Sequence, residues 1–148
     1  MNKKFMDEAF KEAQKAFDLD EVPVGAVIVK NNKIISKAHN LKEYNDCCIF
    51  HAEINAIIDA SKNIDNWRLN DCDIYVTLDP CPMCASAIKQ ARICNVYSAG
   101  SNSDLNNLKL IQSIFKADNT NPSVNFITNI DHNKSRKLLN AFFLKQRN

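Results

Sequence analysis

The chain has 148 residues, of which 45% are hydrophobic and 24% are charged, and its formal net charge at pH 7 is +2. This length is enough to bury a substantial core in one domain. The composition is that of an ordinary soluble globular protein. The low net charge excludes a polycationic binder but permits a local basic patch for a structured RNA.

The start of the chain resembles neither a secretory signal nor a membrane span. Acidic and basic side chains interrupt residues 5–17, so no apolar stretch there is long enough for either role. We therefore expect a cytoplasmic protein without membrane contact. In such a chain, six cysteines indicate reduced thiols and metal ligands rather than disulfides.

Hydrophobic spacing predicts alternating helices and strands. A period near 3.6 marks the helices, and short β-branched runs mark the strands. In chain order we predict a helix over 4–17, strands over 24–29 and 33–39 joined by a turn at 30–33, a loop over 40–50, a helix over 51–61, a strand over 73–78, a helix from 80 to about 90, a strand over 95–98, a helix over 105–115, a strand over 124–128 and a helix over 133–147. This order predicts an α/β sheet covered by helices on both faces.

The helix over 51–61 is predicted to bury polar groups at its start. Ile54, Ile57 and Ile58 form its apolar side, and His51 and Glu53 fall on that same side. We therefore expect both polar side chains to point inward. At the next helix, Pro80 suits the first turn, where a missing N–H costs nothing.

Two short motifs dominate the chemistry: His51-Ala52-Glu53 and Pro80-Cys81-Pro82-Met83-Cys84. One imidazole and two thiolates can hold a zinc ion and leave its fourth position open. Both motifs lie at predicted helix starts after what we expect to be adjacent strands, where the helix dipole favours thiolate. H-x-E followed by P-C-x-x-C is the signature of zinc-dependent nucleobase deaminases.

An open zinc position predicts a hydrolytic mechanism. Zinc can lower the pKa of its bound water to about 7, which supplies hydroxide at neutral pH. Glu53 could take that proton and pass it to a ring nitrogen and then to the departing amine.

The other cysteines leave alternatives open. A lone C-x-x-C is also typical of a redox pair or of half a structural zinc site. Cys47 or Cys48 could supply a fourth ligand and close the site of a non-catalytic zinc-binding module, or both could be ordinary loop thiols. Cys72 and Cys94 flank strands and are predicted to be core residues.

At these motifs the chain resembles the bacterial tRNA-specific adenosine deaminases of the cytidine deaminase superfamily. The similarity runs over residues 20–98 without an apparent gap and returns in the last helix. Its matching positions are 21–27, Asn40, 51–54, 67–69, 75–81, 91–93, 138–143 and Arg147.

The resemblance implies a three-layer α/β/α cytidine-deaminase-like fold, with a five-stranded mixed sheet and helices on both faces. Residues 1–148 would form a single zinc-dependent deaminase domain, usually homodimeric, with one Zn²⁺ per chain. Its reaction would convert adenosine to inosine at the wobble position of a tRNA anticodon stem-loop. Trp67, Arg68 and the exposed part of the Cys84 helix are candidates for the dimer contact.

The resemblance also implies residue roles. His51, Cys81 and Cys84 would be the zinc ligands and Glu53 the catalytic proton shuttle. The implied substrate-binding residues are Val24, Asn40, Ala52, Asn102, Phe142, Phe143 and Arg147.

Two segments depart from the family pattern. Residues 47–50 replace the usual Asp-Pro-Thr-Ala, and residues 101–107 lack the family's Arg and Lys, with Asn102 in place of its Asp. Because this second loop touches the nucleotide in the family, deamination of a free base or nucleoside such as guanine, cytosine or cytidine remains the alternative.

The last helix could meet RNA through charge and aromatic rings. Phe142 and Phe143 cannot both face one core stripe, so one of them could stack on RNA or contact a second subunit. Basic side chains could bind phosphates, although a solvated basic face is the alternative. These basic residues are Lys134, Arg136, Lys137, Lys145 and Arg147.

Overall fold

The computed structural model describes residues 1–101, 105–117 and 122–148. Helices and strands alternate much as the hydrophobic spacing predicted. The elements are α1 (Lys3–Asp18), β1 (Gly25–Lys30), β2 (Lys33–His39), α2 (Ala52–Asn63), β3 (Cys72–Val76), α3 (Pro82–Gln90), β4 (Asn95–Ser98), α4 (Leu105–Lys116), β5 (Asn125–Ile127) and α5 (His132–Arg147).

The five strands form one mixed sheet in the order β2-β1-β3-β4-β5. Strand β1 runs antiparallel to both β2 and β3, whereas β3, β4 and β5 are parallel to one another. The β1–β2 turn uses Asn31 and Asn32 with φ of 50° and 61°. Asparagine tolerates this left-handed conformation, as the predicted tight turn requires.

Both faces of the sheet are buried, as the alternation of helices and strands predicted. Ala26 and Ile28 point to the side covered by α2, α3 and α4. Val27 and Val29 alternate to the opposite side, where they pack with α1. Helix α5 lies on the α1 side, since Leu138 packs against the same cluster. The three-layer arrangement follows from this alternation.

The apolar stripe predicted for α2 is wrong. The fully buried side is made by Ala52, Ala56 and Ala60, while Ile58 is 38% exposed. Alanine side chains allow the helix backbone to approach the sheet closely, so the small residues face inward and the larger ones lie at the margin. Glu53 does point inward, at 4% exposure.

Helix α3 begins two residues later than predicted. Pro82, rather than Pro80, stands at the first helical position, and Cys81 is the N-cap. Proline is well suited to this position because its φ is preset and the missing N–H has no partner within the helix. This start places Cys81 and Cys84 on the first turn together.

Gly25 allows α1 to lie directly on β1. A Cβ atom at this position would stand 2.0 Å from the Ala9 carbonyl oxygen and 2.5 Å from the Ala13 nitrogen. We expect Gly25→Ala to reduce the free energy of unfolding by about 3 kcal/mol or more, because backbone atoms of the helix would have to move. Urea denaturation of the two proteins measures this loss, and equal midpoints would contradict the close packing.

In the residues that the structure describes, every helix is too short or insufficiently apolar to span a lipid bilayer.

Candidate metal centre and active site

The two motifs meet at one edge of the sheet because β2 and β3 run in the same direction. Each is antiparallel to β1, so their carboxyl ends lie at the same edge, where α2 and α3 begin. The strands that precede the two motifs are not adjacent, contrary to the prediction. Strand β1 lies between them, and its start brings Val24 into the site.

Helix caps place the candidate ligands. His51 is the N-cap of α2 and Cys81 is the N-cap of α3, and neither side chain makes a capping hydrogen bond. Serine, threonine, aspartate or asparagine usually occupies such positions and binds the helix N–H groups. Here both side chains are instead turned toward each other and toward Cys84.

The three ligand atoms converge as a metal site requires. His51 Nδ1 lies 3.7 Å from Cys81 Sγ and 3.5 Å from Cys84 Sγ, and all three atoms lie within 4.8 Å of one another. With ordinary Zn–N and Zn–S bond lengths, tetrahedral coordination separates nitrogen from sulfur by about 3.6 Å. The residues therefore fit a zinc ion that retains one open position.

The pKa values of the two cysteines also favour a bound cation at this site. The hydrogen bond with Cys84 lowers the pKa of Cys81 to about 4. The same hydrogen bond, together with burial, raises the pKa of Cys84. The pair thus shares one proton and carries one thiolate. A bound cation would be needed to hold both sulfurs deprotonated, as zinc ligands must be.

The remaining cysteines do not complete a fourth ligand. Within the described residues, the metal-type cluster contains neither Cys47, which is half-buried, nor Cys48, which is exposed. The arrangement is therefore not that of a closed structural site. Cys72 is buried as predicted, whereas Cys94 is only half-buried.

Glu53 is placed beside the ligands without being one of them. It lies in the first turn of α2, and its side chain is buried. Burial raises the pKa of Glu53 to about 7. A carboxyl group that titrates near neutral pH can both accept and return a proton, which is the property required of a general acid–base.

A pocket of about 210 Å³ opens over this cluster. Val24, Asn40 and Ala52 line it, as the resemblance implied. The side-chain amide of Asn40 donates to the Val22 carbonyl (3.3 Å), and its oxygen accepts from the Lys42 N–H (3.2 Å). Counting only its bonds with the described residues, Asn40 keeps one amide hydrogen and one oxygen lone pair for a ligand.

Sequence reasoning assigned no role to four other residues of the pocket wall. Together with the predicted residues, the wall contains Val22, Lys42, Leu78 and Asp79. Asp79 follows β3, accepts from Thr128 Oγ1 at 2.5 Å and donates its N–H to the Gly100 carbonyl. A polar residue directly after a buried strand was the signal that could have identified it, because ligand sites form at the carboxyl ends of parallel strands.

A second cavity of about 480 Å³, which we call the groove, shares Val22, Asn40 and Lys42 with the first. Phe142 and Phe143 also line the groove. As expected, only one of the two phenylalanines packs inward: Phe142 is 5% exposed, whereas Phe143 is 40% exposed.

Two predicted binding residues remain, Arg147 and Asn102. Arg147 is exposed at the end of α5 and is not among the residues lining the groove. Asn102 lies outside the described residues.

Two of the five basic residues on α5 are already engaged by the protein. Lys145 Nζ lies 2.9 Å from Asp20 Oδ1, and Lys134 Nζ lies 4.4 Å from the centre of the Phe10 ring. Arg136, Lys137 and Arg147 are exposed. Any phosphate contact made by this helix would therefore depend mainly on these three.

Comparison with known proteins agrees with this geometry. The model of the MafB19-like deaminase family matches residues 1–147. A tRNA-specific adenosine deaminase of Bacillus subtilis (strain 168) is 36% identical over 143 residues, which cover 97% of this chain and 89% of that protein.

Two solved structures are also similar. One, from a study of A-to-I editing by tRNA:A34 deaminases at the wobble position of transfer RNA, is 32% identical with a TM-score of 0.84, and the match covers 93% of this chain and 100% of that one. A guanine deaminase from Bacillus subtilis is 34% identical with a TM-score of 0.66, over 74% of this chain and 71% of that one. The fold is therefore the expected cytidine-deaminase-like one, and the chain belongs to the family of tRNA-specific adenosine deaminases.

Proposed function

We propose that this protein hydrolytically deaminates adenosine to inosine at the wobble position of a tRNA anticodon loop. The observation that carries the proposal is the convergence of His51, Cys81 and Cys84 on one point, with buried Glu53 beside them. The pocket over this point shares three lining residues with the larger groove. The similarity to tRNA-specific adenosine deaminases supports the same substrate.

The cofactor in this proposal is one Zn²⁺ per chain, held by His51 Nδ1, Cys81 Sγ and Cys84 Sγ. When bound, zinc supplies a Lewis acid that makes water a nucleophile at neutral pH. The donor set of one imidazole and two thiolates suits zinc better than magnesium or calcium, which prefer oxygen ligands.

The chain's own residues would bind the base and move the protons. Glu53 takes a proton from the attacking water, delivers it to the purine ring nitrogen and then assists the departing ammonia. Asn40 orients the base through its free amide hydrogen and oxygen. Val24 contacts the apolar face of the ring. The N–H of Ala52, which has no partner within α2 because it lies in the first turn, is available to the base.

The groove supports an RNA substrate over a small molecule. A flipped base would fill the pocket, and the neighbouring nucleotides would lie along the groove toward Phe142 and Phe143. Unpaired anticodon-loop bases can be extruded at a low unstacking cost. We assign further contacts to Arg147 and, from the resemblance, to Asn102.

The second candidate is a deaminase of a free base or nucleoside. The similarity to the guanine deaminase of Bacillus subtilis favours guanine among these substrates. That match covers less of both chains than the match to the tRNA:A34 deaminase structure does. We therefore rank it second.

A substrate panel tests the proposal. We expect inosine from an anticodon stem-loop with adenosine at the wobble position, and no comparable turnover of free adenosine, cytidine, cytosine or guanine. Product formation is measured by chromatography. Turnover of free guanine without inosine in the RNA would instead establish the second candidate.

The salt dependence of the reaction is a separate prediction. Because RNA binding releases counterions from phosphates, we expect kcat/KM for the stem-loop to fall steeply between 50 and 200 mM salt, by roughly tenfold or more if a few phosphates are contacted. A sodium chloride titration measures the slope of log kcat/KM against log salt concentration. A flat profile would contradict electrostatic RNA binding.

We further propose that residues 1–148 act as one deaminase domain in the cytoplasm, and that two copies associate. Trp67 is 52% exposed, with the guanidinium groups of Arg68 and Arg92 at 4.3 and 5.3 Å from its ring centre. Large exposed rings with arginine are enriched at protein interfaces. Sedimentation of the protein and of Trp67→Ala tests this contact.

A further inference from the structure

Tyr44 is the most exposed large hydrophobic side chain in the described part of the chain. Its exposure is 78%, compared with 64% for Met1 and 60% for Leu144 near the two ends. A partner that covered this ring would remove its apolar surface from water, which is energetically favourable. Tyr44 neither lines the catalytic pocket nor packs against a helix, so its exposure has no explanation within the fold.

The backbone that carries this ring is firmly held. The Glu21 carboxylate, only 1% exposed, accepts hydrogen bonds from the N–H groups of Glu43 (2.9 Å) and Tyr44 (2.7 Å). The next turn is closed by the Asn45 N–H, which donates to the Leu41 carbonyl at 2.9 Å. The ring therefore projects into solvent from a fixed support.

This support is part of the groove wall. Glu21 and Glu43 line the groove, and Lys42 lines both the groove and the catalytic pocket. Tyr44 follows Glu43 directly but belongs to neither lining, so its exposed ring lies outside the groove, one residue from its wall. The groove wall carries Lys42 together with the carboxylates of Asp20, Glu21 and Glu43, so the contribution we assign to Tyr44 is stacking rather than charge. Exposed aromatic rings stack on the unpaired bases of single-stranded nucleic acid.

We propose that Tyr44 is a stacking platform for an unpaired base of the substrate RNA, adjacent in sequence to the base that enters the catalytic pocket. The inference rests on the proposed RNA substrate. Lys42 would neutralise the phosphate that links the two nucleotides. The fixed backbone lowers the entropy cost of placing the ring, because the segment is already ordered before RNA binds.

Kinetics with three proteins test the role of the ring. For a stem-loop with wobble adenosine, we expect Tyr44→Ala to raise KM by roughly tenfold with kcat within about twofold, since one base–aromatic stack is lost away from the reacting atoms. Tyr44→Phe is the matched control and should stay within about twofold of wild type in both constants, because stacking needs the ring face and not the hydroxyl.

Fluorescence provides a direct readout of stacking. In two separate stem-loops, 2-aminopurine replaces the base on either side of the wobble adenosine. Wild type and Tyr44→Phe should quench the probe at one of these positions upon binding, and Tyr44→Ala should not. A purely structural role for the side chain would not produce this difference.

Three outcomes would overturn the proposal in distinguishable ways. If Tyr44→Ala has unchanged KM and quenching while the wild type is active, the stacking role of Tyr44 is wrong and the proposed function still stands. A change of sedimentation in Tyr44→Ala with normal RNA kinetics would assign the ring to a contact between two copies. Absence of inosine with wild type would overturn the proposed function and this inference together.

Discussion

Replacement of Glu53 by glutamine is expected to lower kcat for deamination at least about 100-fold, the usual scale for a general acid–base group. Glutamine has nearly the same shape, so it should fill the buried position without opening a cavity. It cannot accept and return a proton. Since Glu53 is not one of the three convergent ligand residues, bound zinc should remain close to one ion per chain.

Two measurements made on the same sample separate these effects. Inosine formation under single-turnover conditions reports the chemical step, and elemental analysis reports the zinc content. Asp59→Asn is the control, because this aspartate is exposed on the same helix as Glu53 and is not among the residues lining either cavity. It should retain kcat. Undiminished turnover in Glu53→Gln would remove Glu53 from the mechanism, whereas loss of zinc would make it a support of the metal site.

The second large effect concerns the metal itself. Cys81→Ser and Cys84→Ser should each lose most of the bound zinc and, with it, detectable deamination. Only two strong ligands would remain in either variant, and a serine hydroxyl is a poor replacement for thiolate. Cys84→Ser should also unfold at a lower temperature in the absence of added metal, because its polar hydroxyl would be fully buried.

Cys47→Ser and Cys48→Ser are the matched controls for the cysteine series. Neither residue belongs to the ligand cluster, so both variants should retain zinc and activity. Zinc content measured after dialysis against a weak chelator ranks the four proteins. Zinc loss in Cys47→Ser or Cys48→Ser equal to that in Cys81→Ser would indicate a fourth protein ligand and a closed, non-catalytic site.

The metal cluster could be predicted because its chemistry restricts residue types at short spacing. An imidazole two residues before a carboxylate, and two thiols three residues apart, are local patterns that remain visible without the fold. The helix starts on which they lie are local as well. The predicted roles of His51, Cys81 and Cys84 thus depended little on distant parts of the chain.

Other features depended on partners far away in sequence. The alanine face of α2 was missed because residue size, and not only polarity, decides which side of a helix approaches a sheet. The ion pair between Lys145 and Asp20 was not predicted, because an ion pair between distant elements leaves no repeating pattern in the sequence. Lys89 illustrates the same limit: its buried ammonium donates to the Ala117 carbonyl at 2.7 Å, at the end of another helix.

Residue order was therefore sufficient to predict the alternation of elements, the cluster of His51, Cys81 and Cys84, the inward-facing Glu53 and the family, since each of these arises from neighbouring residues. Long-range packing decided the strand order, in which β1 lies between the strands that precede the two motifs. It also formed the hydrogen bond from the Tyr44 N–H to the Glu21 carboxylate and the groove that Phe143 lines. The physical reason is that contacts between distant segments are selected by the total free energy of the folded chain, which no single stretch of sequence specifies.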